Sequence, residues 1–93
     1  MIIKRKMTIT HADFFRILPK ALGSHDYSIE NNRIRFISAG YVFDILLSEE
    51  RDWKIGTLQL PVVDLEISLE GCSPSEALEI MTSFDRSFHK GGG

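Results

Sequence analysis

Over the first nine residues Ile3, Met7 and Ile9 fall on one side of the chain and Lys4, Lys6 and Thr8 on the other, with Arg5 the exception on the apolar side. That period of two predicts a half-buried strand over about 2–9. From His11 the spacing changes: Phe14, Phe15, Leu18, Ala21 and Leu22 follow a helical period, and Thr10 stands three residues before Asp13 as a relative of the capping box. Pro19 lies inside that pattern. Proline removes one main-chain bond and clashes with the preceding turn, so the regular helix is expected to end or kink near Leu18, with Gly23 closing the segment.

Two turns set the middle of the chain. Asn31-Asn32 suits a two-residue turn with both central residues at positive φ, which pairs Glu30 with Arg33, Ile29 with Ile34, Ser28 with Arg35 and Tyr27 with Phe36. Ala39-Gly40 suits a second turn, pairing Phe36 with Phe43, Ile34 with Ile45 and Arg35 with Asp44. Both registers place Tyr27, Ile29, Ile34, Phe36, Phe43 and Ile45 on one face, and a slip of one residue in either would send an apolar set to the wrong side. After the polar loop 48–52, Val63, Leu65, Ile67 and Leu69 alternate with Asp64, Glu66, Ser68 and Glu70. Residues 53–70 are expected to form one long strand bent at Pro61, with a hairpin as the alternative.

Ser73-Pro74-Ser75-Glu76 supplies an N-cap serine, a proline at the first helical position and a glutamate at the third. A helix therefore begins at Pro74. Ala77, Ile80, Met81, Phe84 and Phe88 form one apolar stripe, Glu76, Glu79 and Asp85 are expected to face water, and Gly91 suits a left-handed cap after His89 and Lys90. The order is β-α-β-β-β-β-α: an α+β fold with an antiparallel twisted sheet and two helices on one face. This order resembles the TATA-binding-protein-like and helix-grip two-layer folds, over the whole chain but through element order alone. The resemblance implies that the first strand lies beside the last, which sets Lys4 and Lys6 next to Asp64, Glu66 or Glu70 as a cross-strand ladder. It carries no function over, because a fold hosts many functions.

Composition bounds the rest. The chain has 93 residues, 43% of them hydrophobic and 26% charged, which is ordinary globular usage for one domain, here residues 1–90, followed by Gly91-Gly92-Gly93 as a flexible tail. The net charge is -2, too close to neutral for a nucleic-acid domain, and it hides a gradient of +4 over residues 1–22, -2 over 23–60 and -4 over 61–93. Cys72 is the only cysteine, which excludes an internal disulfide and suits a reducing, cytoplasmic setting. No run approaches membrane-spanning length and no signal-peptide pattern is present, so no membrane partner is expected.

No catalytic constellation assembles from the sequence. His11 with Asp13, and His25 with Asp26, lack the spacing of a metal motif and are read as cap and loop polarity, so neither metal nor cofactor is expected. Cys72 precedes a helix start, where a thiolate would be stabilised, but also fits a small apolar corner residue. Ser73 is accounted for by capping, and Trp53 is read as an aromatic closing the core at a strand end. The terminal glycines are similar to those of sulfur-carrier and ubiquitin-like proteins, although here they follow a helix rather than a strand.

The strand parity that builds the core also sends apolar side chains outward. Ile37, Val42 and Leu46 point away from the helices, and Leu58, Leu60 and Val62 join them unless a bulge at Gly56 returns Leu58 and Leu60 to the core. Such a patch marks an association site. The sequence thus reads as a non-enzymatic binding or assembly module acting through Ile37, Val42, Leu46, Leu58 and Leu60, with a second copy in a homodimer or another protein as partner. The alternatives are a small-ligand or accessory enzyme domain with a groove between sheet and helices, and a Gly-Gly carrier. Deleting Gly92 and Gly93 should leave the thermal unfolding midpoint unchanged, because a chain end beyond a helix makes few contacts.

Overall fold

The computed structural model describes residues 1–91. Its elements are β1 (Ile2–Met7), α1 (His11–Leu22), β2 (Tyr27–Glu30), β3 (Arg33–Ser38), β4 (Tyr41–Leu47), β5 (Arg51–Ile55), β6 (Leu58–Glu70) and α2 (Pro74–Gly91). The strands form a six-stranded antiparallel sheet in the order β1-β6-β4-β3-β2, with β5 paired to β6 alone. The chain is α+β, as the patterning predicts, but with six strands in place of five. Gly92 and Gly93 lie outside the described residues, and with them the glycine tail; Gly91, expected as the left-handed cap, falls inside the bounds of α2.

Both hairpin registers agree with the sequence arithmetic residue for residue, from Tyr27 opposite Phe36 to Glu30 opposite Arg33, and from Arg35 opposite Asp44 to Phe36 opposite Phe43. The turn chemistry differs. Asn31 alone of its pair has positive φ, at 57°, whereas Ala39 and Gly40 both do, at 46° and 85°. The first strand does pair with the last, Lys4 opposite Glu66 and Lys6 opposite Asp64.

Residues 53–70 are not one long strand bent at Pro61 but the alternative, a hairpin. The chain turns five residues earlier, at Gly56-Thr57, and β6 runs through Pro61. Gly56 has φ 60° at the first central position of a two-residue turn, a conformation glycine adopts without strain. The turn also replaces the bulge considered at Gly56. Pro61 fits inside β6 for a geometric reason. Leu69 bonds main chain to main chain with Met1, on the β1 side, and the Asp64 carbonyl accepts the Ser48 N–H, on the β4 side. Odd-numbered residues of β6 therefore address β1, which ends opposite Val63, so Pro61 lacks a donor only where no acceptor strand is left.

α1 continues through Pro19 to Leu22 as one helix, so it does not end at Leu18. Pro19 sits in the last turns, where it deprives only one upstream carbonyl of its donor. Its own carbonyl accepts the N–H groups of Gly23 and Ser24, which closes the helix. At the other end the Asp13 N–H donates to Thr10 Oγ1 at 3.1 Å. α2 opens on a complete capping box: the Glu76 N–H donates to Ser73 Oγ at 3.2 Å, and the Ser73 N–H to Glu76 Oε1 at 2.8 Å.

Both helices cover one face of the sheet. Ile34, Phe36, Phe43, Ile45, Leu47, Val63, Leu65, Ile67 and Leu69 meet Phe14, Ile17, Leu18, Ala77, Met81, Phe84 and Phe88 in a single core. Aromatic rings link the layers: Phe43 to Phe84 at 5.3 Å, Phe84 to Phe88 at 4.9 Å, and Phe88 stacked on Phe14 at 5.2 Å. Ile29 shares this face but is 52% exposed at the turn end of the edge strand β2, whereas Tyr27 at its other end packs against the core. Gly71, at the corner between β6 and α2, has φ 88°, and a Cβ there would lie 2.5 Å from the Gly40 carbonyl oxygen, so no larger residue fits.

Asp85 is only partly exposed, with 38% of its side chain in contact with water. It receives both the Nε and the Nη2 of Arg5, at 3.2 and 3.0 Å. This fork explains the exception in the first strand: Arg5 points to the helix side at the rim of the core, where a half-buried guanidinium finds its carboxylate on α2. Phe84→Ala should destabilise the fold by about 3–5 kcal/mol in urea unfolding, because the ring is 1% exposed and joins sheet to helix.

Candidate functional site

The face of the sheet opposite the helices carries no covering element, and β6 organises it. Its 13 residues exceed the length of β1 and β4, and the surplus, Leu58–Val62, pairs with β5 to form an arm. β5 lies along the same edge of β6 as β4. Ile55 and Leu58 flank a two-residue turn and so exchange main-chain bonds, which makes even-numbered residues of β6 address β5 just as they address β4. β4 leaves at Leu47 opposite Leu65, and β5 enters at Arg51 opposite Val62. Three residues, Ser48, Glu49 and Glu50, thus oppose two, Val63 and Asp64.

That one extra residue reverses the parity of the strand. Odd-numbered residues of β4 point to the core, whereas odd-numbered residues of β5 point to the open face. Trp53 therefore does not close the core: it is 53% exposed beside Leu60 on the open face, and Ile55 lies beside Leu58. The opposite face of the arm is polar, with Asp52, Lys54 and Gln59, and Gln59 Nε2 donates to Asp52 Oδ2 at 2.8 Å. The irregular segment is pinned twice. The Ser48 N–H donates to the Asp64 carbonyl at 2.9 Å while Ser48 Oγ accepts the Asp64 N–H at 2.8 Å. His11 at the start of α1 donates from Nε2 to the Ser48 carbonyl at 2.8 Å, and the His11 N–H donates to Glu50 Oε1 at 2.7 Å.

The register sets Ile37, Val42, Leu46, Leu58 and Leu60 on the open face together, but spreads them along it. Ile37 pairs with Val42 at one end, where Val42 faces Glu70; Leu58 and Leu60 belong to the arm at the other end. Between them lies a charged band. Arg35 forks onto Asp44, both bonds 3.0 Å long, and Arg51 Nη1 meets Asp64 Oδ2 at 2.7 Å. Leu46 stands inside this band, at an open hollow of about 620 Å3 lined by Lys4, Lys6, Asp64 and Glu66 among others. Val62 is also on the open face yet only 3% exposed, at a smaller hollow it shares with Lys6, Arg51, Asp52 and Trp53.

Parity from 58 to 62 was legible in the sequence; Trp53 and Ile55 were not. Their face follows from the two-residue turn at Gly56-Thr57, which sets Ile55 opposite Leu58 and Trp53 opposite Leu60, whereas in the sequence Gly56 is weighed only as the site of a bulge. Elsewhere, Cys72 is half-buried against the core at the corner before α2. His11 is engaged with Ser48, and among the described residues no three His, Cys, Asp or Glu side chains converge as a metal site. No helix among the described residues is long and apolar enough to cross a membrane. No protein-family model matches the chain, and comparison with curated proteins and with solved structures returned no match.

The hydrogen bond from Arg51 holds the Asp64 carboxyl below its ordinary pKa, with attraction to Arg51 and Lys6 adding to it. A carboxyl with a lowered folded-state pKa stabilises the fold above its unfolded value, about 3.9 for aspartate, and loses that contribution as pH falls through the lowered value. Asp64→Asn should therefore flatten part of the acid-side fall in thermal stability while changing little in shape. An acid limb identical to that of the parent chain would show that the Arg51–Asp64 pair does not hold the arm.

Proposed function

We propose that this protein is a small non-enzymatic binding and assembly module that works in the cytoplasm through the open face of its sheet, with a second copy or another protein as partner. The observation that carries this reading is the arm. Trp53, Ile55 and Leu58 are each about half exposed or more, side by side with Leu60, on a two-stranded ribbon whose other face is polar. A lone two-stranded ribbon is marginal in water, and an apolar surface of this kind on one marks a place where a partner sits. Ile37 and Val42 form a second apolar spot at the far end of the same face, with Leu46 in the charged band between. Apart from the added β5, the element order resembles the TATA-binding-protein-like and helix-grip arrangement, with its two helices behind and its sheet open.

The space between sheet and helices, where a small ligand would bind in a helix-grip arrangement, is filled by Phe14, Leu18, Phe43 and Phe84, none more than 1% exposed. The carrier reading depends on Gly92 and Gly93, outside the described residues. Replacing Trp53→Lys and Leu60→Lys together should leave a folded chain that no longer associates, read as a single monomeric species in sedimentation velocity and a loss of partner recovery. Association unchanged in that double variant would overturn the open-face reading.

A further inference from the structure

The open-face reading leaves the geometry of association unspecified, and the edge of β5 supplies one. We propose that two copies of this chain join edge to edge through β5, antiparallel about Trp53, so that the sheet runs on from one molecule into the next. The proposal rests on the association reading and adds to it the partner, the strand and the register.

Among the described residues β5 pairs with β6 and with no other strand, and all five of its residues are exposed. Arg51, Trp53 and Ile55 direct their main-chain groups at β6, because Ile55 and Leu58 flank the two-residue turn. Asp52 and Lys54 therefore turn their N–H and C=O groups to the free edge, which is an unfilled template for another strand. Set antiparallel about Trp53, a second copy brings the partner's Lys54 opposite Asp52 and the partner's Asp52 opposite Lys54. These two pairs exchange four main-chain hydrogen bonds, each between side chains of opposite charge.

Charge selects that register over its neighbours. Centring the pair on Asp52 opposes two carboxylates, and centring it on Lys54 opposes two ammonium groups. A shift by one residue would set the apolar face of one arm against the polar face of the other. Lys54 makes no ion pair within its own chain among the described residues, and Asp52 is held only by Gln59, so both remain available. On the open face the same register places Trp53 opposite the partner's Trp53 as a non-hydrogen-bonded pair. There the strands approach most closely, with Cα atoms ~4.5 Å apart, and aromatic pairs stabilise best. A row of Leu60, Trp53 and their two counterparts then crosses the joined ribbon.

The other edges are guarded. A copy centred on β1 meets Lys4 with Lys4 or Lys6, and Arg5 with itself in one of those registers, so like charges oppose. β2 has only four residues. In the remaining free stretch of β6, Pro61 lacks a donor.

Charge exchange tests the register. Lys54→Asp and Asp52→Lys should each weaken self-association roughly tenfold or more in sedimentation equilibrium, because each opposes like charges twice. The double variant Asp52→Lys with Lys54→Asp restores opposite charges and should restore the dimer. The protein has one tryptophan, so a Trp–Trp exciton couplet, read as the concentration-dependent difference in its circular dichroism, can arise only between copies. The couplet should grow with concentration, vanish in each single variant and return in the double. A parent chain that stays monomeric at high concentration would overturn edge pairing, and so would single charge variants that dimerise as the parent does. If those charge variants dimerise normally while Trp53→Lys with Leu60→Lys does not, the open-face reading survives and the β5 edge is not its means.

Discussion

The alternation of β6 is the constraint on which the rest of the molecule depends. This strand is bonded along both edges over its second half, to β1 on one side and β4 on the other. Val63, Leu65, Ile67 and Leu69 point to the helices and are at most 2% exposed, while Asp64, Glu66, Ser68 and Glu70 point to the open face. Burial of the first set fixes the register of β4 and β1 against it, since a shift by one residue would exchange core and surface throughout. The strand then outruns its neighbours. Its first five residues keep the same alternation where no helix covers them, so Leu58, Leu60 and Val62 face the open side beyond the body.

Two local features convert that surplus into a surface. Gly56 allows the tight turn that folds β5 back along β6. The turn sets Ile55 and Trp53 opposite Leu58 and Leu60 and so on their face, and the extra residue between Leu47 and Arg51 lets the chain reach that register from β4, whose odd-numbered residues face the core. The hydrogen bonds of Ser48, His11 and Glu50 hold the extra residue at the start of α1, so the orientation of the arm is tied to the helical layer. A chain of this length has one modest core, and aromatic residues from both helices and the sheet fill it. What remains for the proposed association is the outside of the sheet.

Charge follows the same division of labour. The excess of basic residues in the first 22 positions is absorbed in two ways. Lys4 and Lys6 lie opposite Glu66 and Asp64, and Arg5 crosses to Asp85. The open face ends up with mixed charge, interrupted by apolar groups at its two ends, which suits contact with a surface of similar composition rather than with a polyanion.

Much of this architecture was determined by the sequence itself. Short-range rules set it wherever they act alone: two-residue turns fixed both central hairpins, the serine and glutamate flanking Pro74 fixed the start of α2, and the period of 3.6 chose Phe84 and Phe88 for the core. Three things were decided only by the tertiary structure. Pro19 is carried within α1 because packing of the surrounding turns outweighs one lost bond, a balance between distant contacts that no local pattern records. Asp85 is paired with Arg5, and only partly exposed, because β1 passes beside α2. Trp53 and Ile55 face outward because the turn at Gly56 pairs them with Leu60 and Leu58, and the loop before them holds one residue more than the opposing stretch of β6, which lets β4 and β5 both pair with that strand. The length of that stretch is set by where β6 pairs with β4 and β5, a relation between segments that becomes a physical fact only when the sheet has formed.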